Sequence, residues 1–420
     1  MFDRISIVGL GYIGLPTAAL FAAHGTEVIG VDIAPEVVDT VNAGKIHILE
    51  PELDGIVHKA VHDGMLRATL TAEPADAFVI TVPTPLRNGR DPDLGYIRSA
   101  AAMIAPVLEP GNLIILESTS PIGATQEMAE WLARDRPDLT FPQASGDAAD
   151  IQIAHCPERV LPGHVVRELV ENDRIVGGMS ARATQMATAL YRQVVKGDCI
   201  ATDARTAEMC KLVENSARDL QIAFANELSV LCDRFGIDVW ELIRLANRHP
   251  RVNILQPGAG VGGHCIAVDP WFLAASAPED SRLVQLARTV NDDKPKWILG
   301  KVRQAVEGLL AAQPGRKVAD ITIAGLGLAF KPDIDDLRQS PAIEITRDLC
   351  GIGCKVLAVE PHIRDLPRDL SGLGVELVSL EQALERADIV CVLVRHTRFA
   401  GARGQLSGDR VWLDFVNLPD

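Results

Sequence analysis

The amino-acid sequence predicts an α/β fold in which two doubly wound domains are joined by a long central helix and a helical middle domain. Three observations support this prediction. Within the first 32 residues a strand, a glycine-rich turn, a helix and a second strand follow one another. Residues 203–235 contain no proline or glycine and have a helical pattern throughout. From about residue 316 the alternation of strands and helices begins again.

The two sheets are predicted from short apolar runs that end at turn residues. These runs are 5–8, 77–82 and 113–116 in the first domain and 355–361, 387–395 and 410–416 in the last. Helix-like stretches separate the runs, so a parallel sheet wrapped by helices is the simplest arrangement. We place the domains at 1–200 (first α/β domain), 201–300 (central helical domain with the long helix) and 301–420 (second α/β domain).

Composition excludes several classes of partner. The net charge is −15 over 420 residues, which argues against nucleic acid or an anionic membrane surface as a partner. No apolar run reaches the roughly 20 residues of a membrane span, and no basic region precedes the first strand as in a signal peptide. The eight cysteines are scattered, which favours reduced thiols in the cytoplasm over a disulfide framework. No His, Cys or carboxylate cluster has metal-ligand spacing, so we expect no metal.

The first turn carries a dinucleotide-binding fingerprint. Gly9, Gly11 and Gly14 form G-x-G-x-x-G between a strand and a helix, where backbone and helix N-terminus can approach a pyrophosphate. Asp32 ends the second strand, and a carboxylate there accepts hydrogen bonds from a ribose 2′-hydroxyl but repels a 2′-phosphate. The fingerprint therefore predicts a Rossmann-like domain that binds NAD rather than NADP. The alternative is a glycine turn that binds nothing.

We expect further cofactor contacts where strands of this sheet end. Thr84 follows the run 77–82, and Thr125 lies near the start of the next helix, where it could equally be a helix cap. The predicted cofactor-binding residues are Gly9, Gly11, Tyr12, Ile13, Gly14, Asp32, Thr84 and Thr125.

A second G-x-G, formed by Gly325 and Gly327, also follows a predicted strand. No third glycine comes three residues later, and Lys331 and Arg338 follow instead. This pattern suits a diphosphate held by cations better than a second NAD.

One cysteine lies in a glycine-rich loop. In GAGVGGHCIAVDPWF (258–272) four glycines precede Cys265, and Asp269 follows four residues later. Crowded glycines let the backbone approach a substrate and leave the thiol accessible, whereas a structural cysteine is normally buried. Residue chemistry alone leaves a reactive and a structural Cys265 equally open. We expect the other seven cysteines to lie in the core.

The long predicted helix carries a polar face. Lys211, Asn215 and Arg218 are spaced i, i+4 and i+7, so they share one side of the helix. Such a stripe can be catalytic or merely solvated, and spacing alone does not decide. The segments PERVLPG (157–163) and RHPRVN (248–253) add charged residues that could bind an anion.

Taken together, these segments resemble the UDP-glucose/GDP-mannose dehydrogenase family over essentially the whole chain. The matching pieces are VGLGYIGLP, the VD at 31–32, TVPTP, ESTSPIG, CPERVLPG, AEMCKLVENSARD, GVGGHC with its VDP, and GLAFKPDIDDLRQSP. Because order, spacing and context all agree, the resemblance is highly specific.

The resemblance implies two successive hydride transfers to NAD and a thiohemiacetal and thioester on Cys265. It gives Lys211 the acid/base role, makes Asn215 an oxyanion donor, lets Asp269 and Glu158 position the hydrolytic water, and lets Thr119 hold a bridging water. The implied substrate-binding residues are Arg159, Val160, Lys211, Asn215, Arg218, His249, Arg251, Gly262, Lys331 and Arg338. It also implies a homodimer or higher homo-oligomer in which Arg251 reaches a neighbouring subunit.

Within the family, two departures favour UDP-N-acetyl-D-mannosamine as the UDP-sugar. Pro162 stands where enzymes acting on UDP-glucose usually have a second glutamate, and Val268 stands where they have a lysine. UDP-glucose and UDP-N-acetylglucosamine are the alternatives. Outside the family, the alternatives are a two-electron hydroxy-acid dehydrogenase and an NAD-binding regulatory protein without chemistry. Neither of these requires a cysteine in a glycine loop.

Overall fold

The chain folds into two compact units. The computed structural model describes residues 2–48, 50–161, 163–263, 265–406, 408 and 410–419, so Pro162 and His264 lie outside the described residues. One unit comprises Met1–Glu214 and Trp271–Ala277, and the other comprises Asn215–Pro270 and Pro278–Asp420. In the described part of the chain, no helix combines the length and the apolar character that crossing a membrane requires.

The first unit contains an eight-stranded sheet and a two-stranded hairpin. Its strands are β1 (Arg4–Val8), β2 (Glu27–Val31), β3 (Leu66–Thr69), β4 (Ala77–Ile80), the hairpin strands β5 (Leu86–Arg87) and β6 (Asp91–Pro92), β7 (Leu113–Leu116), β8 (Gln152–His155), β9 (Arg174–Gly178) and β10 (Cys199–Asp203). The sheet order is β10-β9-β8-β7-β4-β1-β2-β3. All its pairs are parallel except β8 with β9, so the predicted parallel sheet is confirmed, with one antiparallel pair that was not predicted.

Helices cover both faces of this sheet. They are α1 (Gly14–Ala23), α2 (Pro35–Asn42), α3 (Leu53–His62), α4 (Gly95–Ile104), α5 (Ala124–Asp135), α6 (Pro142–Ser145), α7 (Val165–Glu171) and α8 (Ala181–Tyr191). Alternate strand residues belong to different cores: Leu113 and Ile115 join one apolar cluster, and Ile114 and Leu116 join the other. Burial on both faces explains why the central strands β4 and β7 are apolar throughout.

The predicted long helix is confirmed. α9 spans Ala204–Phe235, 32 residues, or about 48 Å at the usual rise. It is followed by α10 (Val239–Ala246), α11 (Asp269–Ser276) and α12 (Arg282–Ala312), whose interior contains Pro295.

The second unit contains a five-stranded parallel sheet. The elements after α12 are β11 (Thr322–Leu326), α13 (Pro341–Cys350), β12 (Lys355–Val359), β13 (Glu376–Leu377), α14 (Leu380–Arg386), β14 (Ile389–Val392) and β15 (Val411–Asp414). The strand order is β13-β12-β11-β14-β15. The chain therefore has two doubly wound sheets with helical segments between them in sequence, as predicted.

Candidate active site

The first glycine turn is held by backbone and side-chain hydrogen bonds. Gly9 has φ = 95°, a left-handed conformation that favours glycine, and its N–H donates to the carbonyl of Val31 at 2.7 Å. The hydroxyl of Thr81, at the end of β4, donates to the Gly9 carbonyl at 2.7 Å. The turn lies between β1 and β4, where the strand order reverses, which is the usual place for a ligand in such sheets.

Gly14 and Gly11 are glycines for different reasons. A Cβ added to Gly14 would lie 1.8 Å from the carbonyl oxygen of Gly9 and 2.5 Å from the Thr81 hydroxyl, so the protein itself requires glycine there. A Cβ added to Gly11 would meet no described protein atom within 4 Å. Contacts within the protein therefore do not require glycine at this position, and the space beside Gly11 is open to a group such as a pyrophosphate.

Asp32 follows β2 and faces the turn. Its Oδ2 accepts the N–H of Leu10 at 2.9 Å, and its Oδ1 accepts the N–H of Ala34 at 3.0 Å. Asp32 is half-buried, and Ile33 beside it is exposed. A fixed carboxylate at the rim of the turn suits a ribose hydroxyl and disfavours a phosphate on that ribose.

The predicted threonines differ in how their hydroxyls are used. Thr84 is 6% exposed, and its hydroxyl has no hydrogen-bond partner among the described residues. An orphaned buried hydroxyl three residues after Thr81 is available to a polar group of a ligand. Thr119 is half-buried after β7. Thr125, in contrast, donates its hydroxyl hydrogen to Oε1 of Glu208 at 2.6 Å.

Glu208 closes the N-terminus of α5. Its carboxylate also accepts the N–H groups of Gly123 at 2.6 Å and Thr125 at 2.8 Å, which α5 alone leaves without partners. Burial raises the pKa of Glu208, against the effect of these hydrogen bonds. The alternative of Thr125 as a helix cap is wrong, because Gly123 is the N-cap of α5 and the carboxylate of Glu208 accepts the free N–H groups. The Thr125 hydroxyl donates its hydrogen to Glu208, so only its oxygen lone pairs are available to a cofactor.

Glu158 belongs to a buried charge cluster. Arg174 on β9 donates to Glu117 at 2.5 Å and to Glu158 at 2.7 Å, and its guanidinium lies 4.3 Å from the ring centroid of Tyr191. Burial raises the pKa of Glu117 to about 7, opposed by Arg174 and reinforced by Glu158. One cation thus serves two buried carboxylates, which favours retention of a proton on one of them.

The cluster holds the segment after β8. Oε1 of Glu158 accepts the N–H of Arg159 at 2.5 Å. The Arg159 guanidinium forms an ion pair with Glu214 at 2.8 Å. Val160 packs against the apolar cluster that contains Leu113 and Ile115. One carboxylate oxygen of Glu158 accepts a hydrogen bond from Arg174, and the other accepts one from the backbone N–H of Arg159. These contacts fix the conformation of the segment after β8.

Replacing Arg174 by methionine is expected to destabilise the protein by about 3–5 kcal/mol at pH 7.5, because Glu117 and Glu158 lose their shared cation inside the fold. Burial then holds the pKa of Glu117 above its ordinary value of 4.5, so the loss of stability grows as pH rises above that value and is larger at pH 7.5 than at pH 5. Urea unfolding at both pH values measures it. Arg167→Met, which removes an exposed pair, is the control and is expected to cost under about 1 kcal/mol. Equal losses for the two variants would contradict the cluster's role.

Cys265 is the exposed cysteine among the eight, all of which are described. The expectation that the other seven form core is correct for Cys156, Cys232 and Cys391, which are buried, but wrong for four that are only partly buried. These four are Cys199, Cys210, Cys350 and Cys354. Cys199, Cys350 and Cys354 lie at or next to the ends of β10, α13 and β12, and Cys210 lies within α9. An apolar sequence context does not ensure full coverage at these positions.

Asp269 and Asn215 are brought together although 54 residues separate them. The side-chain amide of Asn215 donates to Oδ2 of Asp269 at 2.5 Å, and Asp269 is 4% exposed. The N–H of Asp269 donates to the carbonyl of Cys265 at 2.8 Å. This bond links the glycine-rich loop that carries Cys265, here called the thiol loop, to the first turn of α11. Lys211 lies one turn before Asn215 on α9 and is half-buried.

The glycines of the thiol loop pack against residues 330–341. A Cβ on Gly262 would lie 2.4 Å from the carbonyl oxygen of Gln339, and one on Gly263 would lie 2.7 Å from the ring of Phe330. Gly260 similarly faces Pro341. These glycines are therefore needed for contact within the protein, a reason that the sequence did not reveal.

A cavity of about 400 Å³ lies beside this loop. It is lined where β11, β14 and β15 end, by Phe330, Arg395 and Val416 among others. Because β12 and β14 flank β11 on opposite sides, this is the point where the strand order reverses. Of the predicted substrate residues, Arg218 lines the cavity. Sequence reasoning missed Phe330 and Arg395, although a cation at the end of a predicted strand was an available signal.

The remaining predicted substrate residues lie on the surface of their segments. Lys331 and Arg338 are exposed in the loop before α13, and the Arg338 guanidinium contacts Asp336 at 2.6 Å. His249 and Arg251 are exposed after α10, and the N–H of Arg251 donates to Nδ1 of His249 at 3.4 Å. The described residues that line the cavity include neither pair.

The second glycine turn differs from its expected form. Gly325 lies inside β11, so the statement that both glycines follow the strand is wrong; only Gly327 follows it. Gly327 matches Gly9, with φ = 97° and its N–H donated to Val359 at 2.8 Å. Ala329 then stands where the first turn has Gly11. A methyl group at this position would restrict the approach of a pyrophosphate to the backbone, which argues against a second dinucleotide.

Three segments of the chain match the domain models of one family. Residues 3–195 match the NAD binding domain of the UDP-glucose/GDP-mannose dehydrogenase family, residues 205–293 its central domain, and residues 324–419 its UDP binding domain. The NAD match covers the fingerprint turn, and the UDP match covers the cavity-lining strand ends of the second sheet.

Named relatives agree with these matches. The chain is 59% identical over 400 residues to the NDP-N-acetyl-D-galactosaminuronic acid dehydrogenase of Ralstonia nicotianae, covering 95% of this chain and 92% of that protein. It is 57% identical over 401 residues to the UDP-N-acetyl-D-mannosamine dehydrogenase of Campylobacter jejuni, covering 95% and 96%. The solved UDP-D-ManNAc dehydrogenase of Pyrococcus horikoshii is similar with a TM-score of 0.86 and 39% identity, covering 99% and 95%. The chain therefore belongs to the UDP-glucose/GDP-mannose dehydrogenase family and is an NAD-dependent nucleotide-sugar dehydrogenase.

Proposed function

We propose that this protein oxidises C6 of UDP-N-acetyl-D-mannosamine to the carboxylate, in two steps, through a thioester on Cys265. The observation that carries the proposal is the exposed thiol of Cys265 in a loop whose carbonyl is tied to Asp269, itself bonded to Asn215. An accessible nucleophile with an amide donor nearby is the arrangement that acyl-thiol chemistry requires.

NAD, when bound, accepts a hydride in each of the two oxidations. The residues that would hold it are those of the fingerprint turn: Gly9, Gly11 and Gly14 beside the pyrophosphate, with Tyr12 and Ile13 between them. Asp32 would accept hydrogen bonds from the ribose. Thr84 has an orphaned buried hydroxyl that a ligand polar group would satisfy, and Thr125 offers only lone pairs.

Lys211 is proposed to accept the substrate proton, and Lys211 and Asn215 are proposed to stabilise negative charge. Lys211 removes the C6 hydroxyl proton during the first oxidation. The Cys265 thiolate then adds to the aldehyde carbon, and the resulting oxyanion is stabilised by Lys211 and the Asn215 amide. An amide has two N–H donors, and Asp269 occupies one of those of Asn215, so one remains for the oxyanion.

Loss of the second hydride leaves a thioester, which water must cleave. The water oxygen forms the new C–O bond, the C–S bond breaks, and the thiolate of Cys265 is regenerated. Asp269 and Thr119 are proposed to orient this water. Glu158 is proposed to act on this water indirectly, by fixing the conformation of the segment after β8, since its oxygens bond Arg174 and the Arg159 backbone.

The nucleotide is proposed to bind at the cavity of the second sheet. Its place at the reversal of strand order and the cation Arg218 on its wall support a uridine diphosphate there. The other proposed substrate contacts are Arg159, Val160, His249, Arg251, Gly262, Lys331 and Arg338. The names of the Ralstonia and Campylobacter relatives point to two N-acetylhexosamines, galactosamine and mannosamine, so the galacto epimer is the second candidate.

The deciding experiment counts NADH per sugar. Purified protein is mixed with NAD and limiting UDP-N-acetyl-D-mannosamine, with UDP-N-acetyl-D-galactosamine in a parallel reaction. The expected result is two NADH and one uronate per mannosamine nucleotide, because oxidation to the acid removes four electrons. One NADH per sugar, with an aldehyde product, would refute the thioester. Faster turnover of the galactosamine nucleotide would transfer the proposal to that epimer.

We further propose that the enzyme is a homodimer. Phe224, Leu231 and Phe235 are exposed on α9 by 54%, 42% and 69%, and their spacing of 7 and 4 places them on one helix face. An exposed apolar stripe marks an interaction surface, and one along a long helix can pair with its own copy about a twofold axis. Light scattering is expected to give twice the 45.2 kDa of one chain. A mass of one chain at micromolar concentration would refute the proposal.

A further inference from the structure

A buried carboxylate lies beneath the second glycine turn. Glu360 follows β12 as Asp32 follows β2, and its Oε2 accepts the N–H groups of Leu328 at 2.8 Å and Ala329 at 3.0 Å. Asp32 is half-buried, whereas Glu360 is 4% exposed. Burial would raise the pKa of Glu360, but the hydrogen bonds from His396 and this backbone hold it below its ordinary value.

His396 connects Glu360 to a different segment. Its Nε2 lies 3.0 Å from Oε2 of Glu360, and its Nδ1 accepts the N–H of Asp333 at 2.9 Å. A backbone N–H can only donate, so Nδ1 carries a lone pair and Nε2 carries the proton that Glu360 accepts. The imidazole is fully buried and both of its nitrogen atoms are used.

Asp333 is the anchored residue of the loop 330–339. Its φ of 59° is left-handed, a conformation that a non-glycine residue keeps only where its surroundings hold it. Its carboxylate accepts the N–H of Thr397 at 2.8 Å and the Thr397 hydroxyl at 2.6 Å. Backbone and side chain of Asp333 are thus both fixed to residues 396–397.

The loop 330–339 contributes several residues to the proposed nucleotide site. Phe330 and Pro332 line the cavity, Lys331 is the predicted phosphate ligand, and Gln339 touches Gly262 of the thiol loop. An anchor at Asp333 therefore fixes Lys331 two residues away. The alternative of a cation site formed by Asp333, His362 and His396, whose ligand atoms lie within 4.8 Å, is disfavoured because both His396 nitrogens are already bonded.

We propose that His396 is a positioning residue that holds the loop 330–339 in the form that binds the nucleotide. It acts through the hydrogen bond from Asp333 N–H to Nδ1, with Glu360 fixing the orientation of the ring. The inference rests on the nucleotide site proposed above. Because His396 is fully buried and both its nitrogen atoms bond groups of the protein, it acts through the loop, so its effect falls on UDP and UDP-sugar affinity and leaves NAD affinity unchanged.

Two substitutions separate the two bonds of His396. The variant H396Q retains a donor near Glu360 but lacks the acceptor for Asp333, whereas H396N keeps an oxygen near the Nδ1 position. We expect H396Q to raise the Kd of UDP and the KM of the UDP-sugar about tenfold, with kcat within about twofold. We expect H396N to stay within about threefold of the unmodified enzyme in UDP affinity. Calorimetry measures UDP and NAD binding for each.

His362→Gln is the matched control, because the His362 ring lies 5.0 Å from that of His396 and its Nε2 faces the same Asp333 carboxylate at 3.9 Å without forming a hydrogen bond to any described residue. If H396Q does not fold, Thr397→Val weakens the same anchor and is expected to loosen UDP binding about threefold. Unchanged UDP affinity in the folded variants, or an equal loss in His362→Gln, overturns the inference. Failure of the unmodified enzyme to bind UDP instead overturns the nucleotide site itself.

Discussion

Replacing Cys265 by serine is expected to reduce uronate formation by at least about 10³-fold while the first oxidation persists. A serine hydroxyl is far less ionised than a thiol at neutral pH and is a poor nucleophile without an adjacent base. The aldehyde from the first step then has no thiolate to add to it. Because Cys265 is exposed on a loop, the change to serine removes little packing and the fold should be retained.

The products separate this expectation from a general loss of activity. Uronate is measured by mass spectrometry, and NADH by absorbance, with NAD and UDP binding checked by calorimetry. Cys354→Ser, a partly buried cysteine outside the thiol loop, is the matched control and is expected to form uronate within about twofold of the unmodified rate. Full uronate formation by Cys265→Ser would remove the thioester from the mechanism.

Replacing Gly11 by alanine is expected to weaken NAD binding on the order of 100-fold without destabilising the protein. The added methyl group meets no described protein atom within 4 Å, so the fold has no reason to resist it. It would instead occupy the space through which the pyrophosphate approaches the turn. The thermal midpoint should stay within about 2 °C of the unmodified value.

Gly14→Ala provides the contrast, since its methyl group would lie 1.8 Å from the Gly9 carbonyl oxygen. That variant should lower the thermal midpoint as well as NAD affinity, because the turn itself must move. Calorimetry with NAD and a thermal melt of both variants make the comparison. Unchanged NAD affinity in Gly11→Ala would show that the cofactor does not pass over this residue.

Some of the fold could be predicted because local patterns were unambiguous. The absence of proline and glycine over 203–235 predicted α9 within one residue of its start, and the run 113–116 matches β7. The antiparallel pairing of β8 with β9 could not be predicted, because strand direction depends on where the connecting chain returns. Gly325 was misplaced because the sequence does not show whether a glycine lies inside a strand or just after it.

The site was predicted as a set of residues but not as a set of contacts. Sequence placed Asn215 and Asp269 among the candidates, yet their hydrogen bond joins positions 54 residues apart. It gave no indication that Arg174 would lie between Glu117 and Glu158. Long-range pairs of this kind depend on how strands and helices come together, which spacing along the chain does not encode.

The sequence by itself determined the fold class, the NAD fingerprint and the identity of the candidate nucleophile, because each depends on residues close together in the chain. Only the tertiary structure decided which glycines are required by close contacts inside the protein, as at Gly14, and which have open space around them, as at Gly11. It also decided that Glu360, His396 and Asp333 form one network. The physical reason is that a hydrogen bond or a steric contact acts over about 3 Å in space, whatever the separation in sequence.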